Sequence, residues 1–126
     1  MTLRLLLVDD STYFLRAARS LLEQEGVDVV AAASTSAEAI EQARALRPDV
    51  TLVDIDLGEE SGFDCARRLA EGAGAGRVVL ISAYPEADLR ELIDASPAVG
   101  FLPKSHLSSH AIRRLLGEGD GGGRDM

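Results

Sequence analysis

Five short apolar runs punctuate the chain, at 3–8 (LRLLLV), 27–33 (VDVVAAA), 50–55 (VTLVDI), 77–83 (RVVLISA) and 99–102 (VGFL). No other feature narrows the fold as far. A strand with one face in water alternates apolar and polar residues, whereas runs that are apolar almost throughout fit strands covered on both faces. The coverings are the intervening stretches, each with apolar residues at helical spacing. The first is predicted to carry Phe14, Ala18, Leu21 and Leu22 as one stripe, with Ser11 or Asp10 as cap and Gly26 as stop. The second spans about 36–46 and ends before Pro48; the third starts near Gly62, carries Phe63, Ala66 and Ala70, and breaks at the glycines of 72–76. The fourth begins at Glu86, places Leu89, Leu92, Ile93 and Ser96 on one side and stops before Pro97. A fifth follows Ser105, with Ile112, Leu115 and Leu116 ahead of Gly117.

Regular alternation of strand and helix implies right-handed crossovers and a doubly wound, five-stranded parallel α/β sheet. Five such pairs are the count of a flavodoxin-like (βα)5 domain. A chain of 126 residues that is 46% hydrophobic can bury one core but not two, so one domain is expected over 1–117. From Gly117 onward the sequence GEGDGGGRDM has five glycines in ten residues, and 118–126 is expected to be a flexible Gly-rich tail. The formal charge of −8 opposes direct binding to nucleic acid and to anionic membrane surfaces. Cys65 is the only cysteine, which excludes an intrachain disulfide and makes it a packing residue of the third helix. The apolar run at the amino terminus is too short for a signal-peptide core or a membrane span, so a cytoplasmic setting is expected.

In sheets of this kind, ligands sit beyond the carboxyl ends of the strands, where loops and helix amino termini converge. That rule selects Asp9 and Asp10 after the first strand, Asp54 at the third, Ser82 at the fourth and Lys104 just past the fifth. Three clustered acids repel one another unless a cation joins them. Magnesium suits them, since it accepts one or two carboxylates, retains waters and takes up phosphoryl oxygens. A carboxylate beside it can attack a phosphoryl group to give an acyl phosphate, with Lys104 offsetting charge and Ser82 offering a hydroxyl donor. Asp54 is therefore the expected acceptor.

With LLLVDD, LVDIDLGEESG, VVLISA and FLPKS in order, each closing a predicted strand, the chain resembles the receiver domains of two-component response regulators, the CheY-like superfamily, over roughly 3–117. The resemblance implies a strand order of 2-1-3-4-5. It makes Asp54 the phosphorylation site, Asp10 the direct Mg2+ ligand, Asp9 its partner acting through water, and Asp56 a metal position through its backbone carbonyl. Ser82 becomes the switch hydroxyl, Ala83 the small residue that leaves the phosphoryl group room, Lys104 the phosphate-contacting lysine and Phe101 the aromatic switch residue. Asp56 and Tyr84 occupy positions that flank the water attacking the phosphoryl group, and so tune its lifetime. The partners implied are a sensor histidine kinase or phosphotransfer protein and an unknown downstream protein that reads the face of the fourth helix, fifth strand and fifth helix; a homodimer is left open.

Three positions depart from the family pattern. Gly58 stands where many members have proline, which implies a looser loop in the unfolded chain. Ser105 replaces a proline after Lys104, so a cis bond there is not expected. Phe101 lacks the hydroxyl of the commoner tyrosine, which bears on the switch's resting balance. Other groups read as ordinary features: Glu59 and Glu60 as a solvated loop tip, His106 and His110 as surface residues, Arg113 and Arg114 as partners of a helix dipole. Two rival functions follow from the same residues. VDIDLG also resembles the DxD motif of haloacid-dehalogenase-like phosphatases, with Asp54 as nucleophile and Asp56 as acid and base, although the acid pair then precedes the motif instead of following the lysine. The other rival is an inactive receiver-like binding module.

Overall fold

The computed structural model describes residues 2–72 and 74–117; the glycine-rich 118–126, expected above as a tail, lies outside the described residues. Strands β1 (Arg4–Val8), β2 (Asp28–Ala33), β3 (Val50–Asp54), β4 (Arg77–Ser82) and β5 (Gly100–Pro103) pair in parallel in the order β2-β1-β3-β4-β5. The connecting helices are α1 (Thr12–Gln24), α2 (Ser36–Leu46), α3 (Gly62–Ala70), α4 (Arg90–Asp94) and α5 (Ser109–Leu115). The doubly wound sheet and its 2-1-3-4-5 order are as the sequence led us to expect.

Successive residues of a strand point to opposite faces, and here both faces are covered. Leu6, Val8, Val53, Val78, Leu80 and Phe101 pack with Ala39, Ala43, Cys65, Leu69 and Ile93 from α2, α3 and α4. Their neighbours Leu5, Leu7, Leu52, Val79, Ile81 and Leu102 pack with Ala18, Leu22, Ile112 and Leu116 on the side of α1 and α5. The uninterrupted apolar runs follow from that division. Leu52 and Leu80 are fully buried, and truncation of either to alanine is expected to cost about 2–5 kcal/mol.

Several helical details differ from the pattern reading. Ser11, and not Asp10, caps α1, its Oγ accepting the Phe14 N–H at 3.2 Å. Leu21 lies at the edge of the predicted stripe and is exposed, because the inward line of α1 runs through Ala18 and Leu22. Segment 86–94 begins as a 3-10 turn, Glu86–Leu89, before α4 proper, so Leu92 faces solvent while Ile93 is buried. After β5, a 3-10 turn at Lys104–His106 and extended backbone at Leu107 and Ser108 delay α5 until Ser109. The described residues contain no cis peptide bond, in line with Ser105 after Lys104.

The register delivers the chemistry to one edge. Val8 pairs with Val53, Asp54 with Ile81, and Ser82 with Pro103. Asp9 and Asp10 follow Val8, and Lys104 follows Pro103, so all five rim residues leave the sheet at the same end.

Candidate functional site

Asp9 is completely buried at the end of β1. Its Oδ1 accepts the Ser11 N–H at 2.9 Å, and its Oδ2 lies 2.6 Å from the Lys104 Nζ. That second contact is a close ion pair, so the ammonium holds the buried Oδ2. Asp54, 5% exposed at the end of β3, receives the same ammonium on Oδ2 at 3.3 Å and the Asp56 N–H on Oδ1 at 3.3 Å. Asp10 is exposed at the mouth of the site. Asp9, Asp10 and Asp54 each offer an oxygen, and the three oxygens lie within 4.8 Å of one another.

Burial and then the charge of Asp9 push the Asp54 carboxyl up to about 6, against the pull of Lys104. Burial works against the Lys104 ammonium, yet its contacts with Asp9 and Asp54 outweigh that and hold it above its ordinary value. One cation thus only partly offsets the three acids. Three hard oxygen ligands within reach of one another, whose negative charge one ammonium only partly offsets, fit a divalent hard cation such as Mg2+.

The remaining expected residues divide. Ser82 is fully buried, and its Oγ accepts the Tyr84 N–H at 2.8 Å, while Tyr84 itself is largely exposed. Phe101 is buried among the α2–α4 core residues, the inward position. Ala83, next to Ser82 in sequence, is exposed at the rim. Asp56 is exposed and its carboxylate is outside the acid group; only its backbone reaches Asp54. His106 and His110 are exposed, and Cys65 is a buried free thiol.

The loop after Asp54 holds what the sequence did not reveal. Asp56–Leu57 pairs antiparallel with Glu60–Ser61, and the two-residue turn between them starts at Gly58 with φ +70°. Proline is fixed near −65°, so the glycine here has a reason in the folded chain and not only in the unfolded one. A Cβ on Gly58 would lie 3.0 Å from the Asp10 Oδ2. Gly62 is pressed on β3 itself: a Cβ there would lie 2.0 Å from the carbonyl oxygen of Asp54. Glu60, expected to be a solvated tip, instead accepts the Ser36 N–H on Oε1 at 2.8 Å and ties the hairpin to the first turn of α2. Phe14, expected only as core, places its ring 4.3 Å from the Lys104 Nζ.

A family model for the response regulator receiver domain matches residues 5–115. The chain belongs to that family. This receiver is 37% identical over 107 residues to a protein from Alkalilimnicola ehrlichii named protein-glutamate methylesterase/protein-glutamine glutaminase, a match covering 82% of this chain and 27% of the relative. The chain spans well under half the length of the curated relatives it resembles. Among solved structures, the receiver superimposes on a two-component response regulator of the LuxR family from Aurantimonas sp. SI85-9A1 with a TM-score of 0.79 at 28% identity, covering 93% of this chain and 87% of that one. It also matches the response regulator domain of Thermotoga maritima CheB, TM-score 0.73 at 25% identity, covering 96% and 93%. The DxD phosphatase alternative draws no support from these likenesses or from the exposed Asp56. No helix among the receiver's described residues is long and apolar enough to cross a membrane.

Proposed function

We propose that this receiver is a phosphoacceptor switch in which Asp54 takes a phosphoryl group from the phosphohistidine of a sensor histidine kinase or phosphotransfer protein. One observation carries the reading: a partly protonatable carboxylate at the end of β3 shares a half-buried ammonium with one of two further acids, all at one sheet edge. An Asp54 oxygen attacks phosphorus in line, the O–P bond forms, the N–P bond breaks, and the imidazole leaves with a proton. Lys104, already between Asp9 and Asp54, moves toward the new dianion, which brings about −1.5 to −2 of charge. Ser82 gives up the Tyr84 N–H and turns its hydroxyl to the same group. Asp9, Asp10, Asp54 and the Asp56 carbonyl would hold Mg2+, which would supply charge neutralisation at the phosphoryl oxygens. Asp56 and Tyr84, both exposed, set how readily water reaches the acyl phosphate.

Movement of Ser82 alters the space beside Phe101, and the surface of α4, β5 and α5 changes for a downstream protein. To carry occupancy from 1:99 to 99:1, phosphorylation must favour the active form by roughly 5.5 kcal/mol. In this reading the chain catalyses only its own phosphorylation and dephosphorylation, works in the cytoplasm, and forms one receiver domain over 1–117. The test is exposure to acetyl phosphate with Mg2+, followed by intact mass and peptide mapping. Stoichiometric labelling at Asp54, lost in Asp54→Ala, is expected; steady turnover of a phosphate ester, or label surviving in Asp54→Ala, overturns the reading.

A further inference from the structure

Four contacts around Lys104 close into a ring. Asp9 Oδ1 accepts the Ser11 N–H, Ser11 Oγ accepts the Phe14 N–H, the Phe14 ring faces the Lys104 ammonium at 4.3 Å, and that ammonium returns to Asp9 Oδ2 at 2.6 Å. The two oxygens of one buried carboxylate thereby fix both the first turn of α1 and the lysine. Phe14 is half-buried at the border of the α1–α5 core. Ser11 caps the helix through the Phe14 N–H and so fixes the backbone from which the ring projects. Lys104 needs such a guide. It sits on a 3-10 turn with extended backbone after it, its side chain is 20% exposed, and its stem has four rotatable bonds.

We propose that Phe14 is a positioning residue for phosphoryl transfer: its ring face holds the Lys104 ammonium within reach of both Asp9 and Asp54 and limits the lysine to the short path between them. The inference rests on the reading of Asp54 as acceptor and Lys104 as its phosphate contact, and adds a residue to it. A cation over an aromatic face is attracted by the ring's quadrupole, more strongly as the contact is shielded from water. An aliphatic side chain of similar bulk fills the space and provides no such attraction. Leucine is therefore the informative replacement and tyrosine the conservative one.

The experiment measures the rate constant of Asp54 labelling by acetyl phosphate at saturating Mg2+, with the Mg2+ dissociation constant measured separately, in wild type, Phe14→Leu, Phe14→Tyr, Lys104→Ala and the double variant Phe14→Leu with Lys104→Ala. The expected result is labelling about three- to tenfold slower in Phe14→Leu, ~0.7–1.4 kcal/mol in the barrier, with Mg2+ affinity within twofold of wild type. Phe14→Tyr should restore the rate, and the Phe14→Leu effect should vanish when Lys104 is alanine. Equal rates in wild type and Phe14→Leu, failure of tyrosine to rescue, or the same loss in the Lys104→Ala background each overturn the positioning role. Far-UV circular dichroism on every variant identifies loss of fold; if Phe14→Leu is unfolded, Phe14→Met and Phe14→Tyr supply the same comparison. Wild type that is never labelled at Asp54 refutes the acceptor reading instead, so the two failures are distinct.

Discussion

Replacing Asp54 by asparagine should make the metal-free protein more stable, and by an amount that depends on pH in a defined way. Asparagine is close in shape to the protonated acid and does not titrate. In the folded chain the Asp54 carboxyl is raised from 3.8 to about 6, chiefly by burial and then by Asp9. The folded state therefore binds this proton more tightly than the unfolded one. Stability from that preference is fully present below about pH 3.8 and is lost as pH rises through about 6. A difference of roughly 2 units at 1.36 kcal/mol each puts the cost of the folded anion near 3 kcal/mol at pH 8, with about half of it already present at pH 5. Urea unfolding followed by circular dichroism, in chelator, should thus show Asp54→Asn ahead of wild type by about 1.5 kcal/mol at pH 5 and about 3 at pH 8. Saturating Mg2+ should narrow the gap at pH 8, because a cation bound to the folded acid group offsets the charge that makes the anion costly. A variant no more stable than wild type at pH 8, or a gap that does not grow with pH, refutes the claim that burial and Asp9 make the folded Asp54 anion costly.

Gly62→Ala should destabilise the protein by about 3 kcal/mol or more, since the new methyl group meets the Asp54 carbonyl oxygen and the backbone must shift; chemical denaturation measures it. Gly58→Pro, which restores the residue common in related domains, should cost about 2 kcal/mol in the same assay, because its φ of +70° is closed to proline. Asp56→Asn should change the half-life of the phosphorylated protein more than it changes Mg2+ affinity, its carboxylate being exposed and outside the acid group; identical half-lives would remove that role.

The sheet and its reactive edge were legible because position along a strand is a one-dimensional property. An acid directly after an apolar run must emerge at the strand's carboxyl end, and parallel pairing puts all such ends together. Asp9, Asp54, Ser82 and Lys104 required nothing more. Helix α4 was read too long because its apolar residues kept helical spacing, while the backbone at Leu89 leaves the helical region and turns Leu92 outward. Gly58 showed in sequence that unusual dihedrals were allowed, but not which sign they take. Glu60 and Phe14 were missed for a different reason: each acts across the fold, on Ser36 and on Lys104, and neither sequence neighbourhood records the partner.

The bond from Glu60 to Ser36 has a mechanical meaning. The segment next to the reactive carboxylate is tied to the neighbouring helix on the same face of the sheet, so its movement must break that bond or carry the start of α2 with it. Among the described residues, helix α4 has no comparable side-chain bond to another helix: five residues close few internal hydrogen bonds, and one of its apolar side chains already lies in water. Deformation imposed at the rim should therefore be absorbed where the scaffold is softest, and amide exchange should find α4 opening long before the hairpin does.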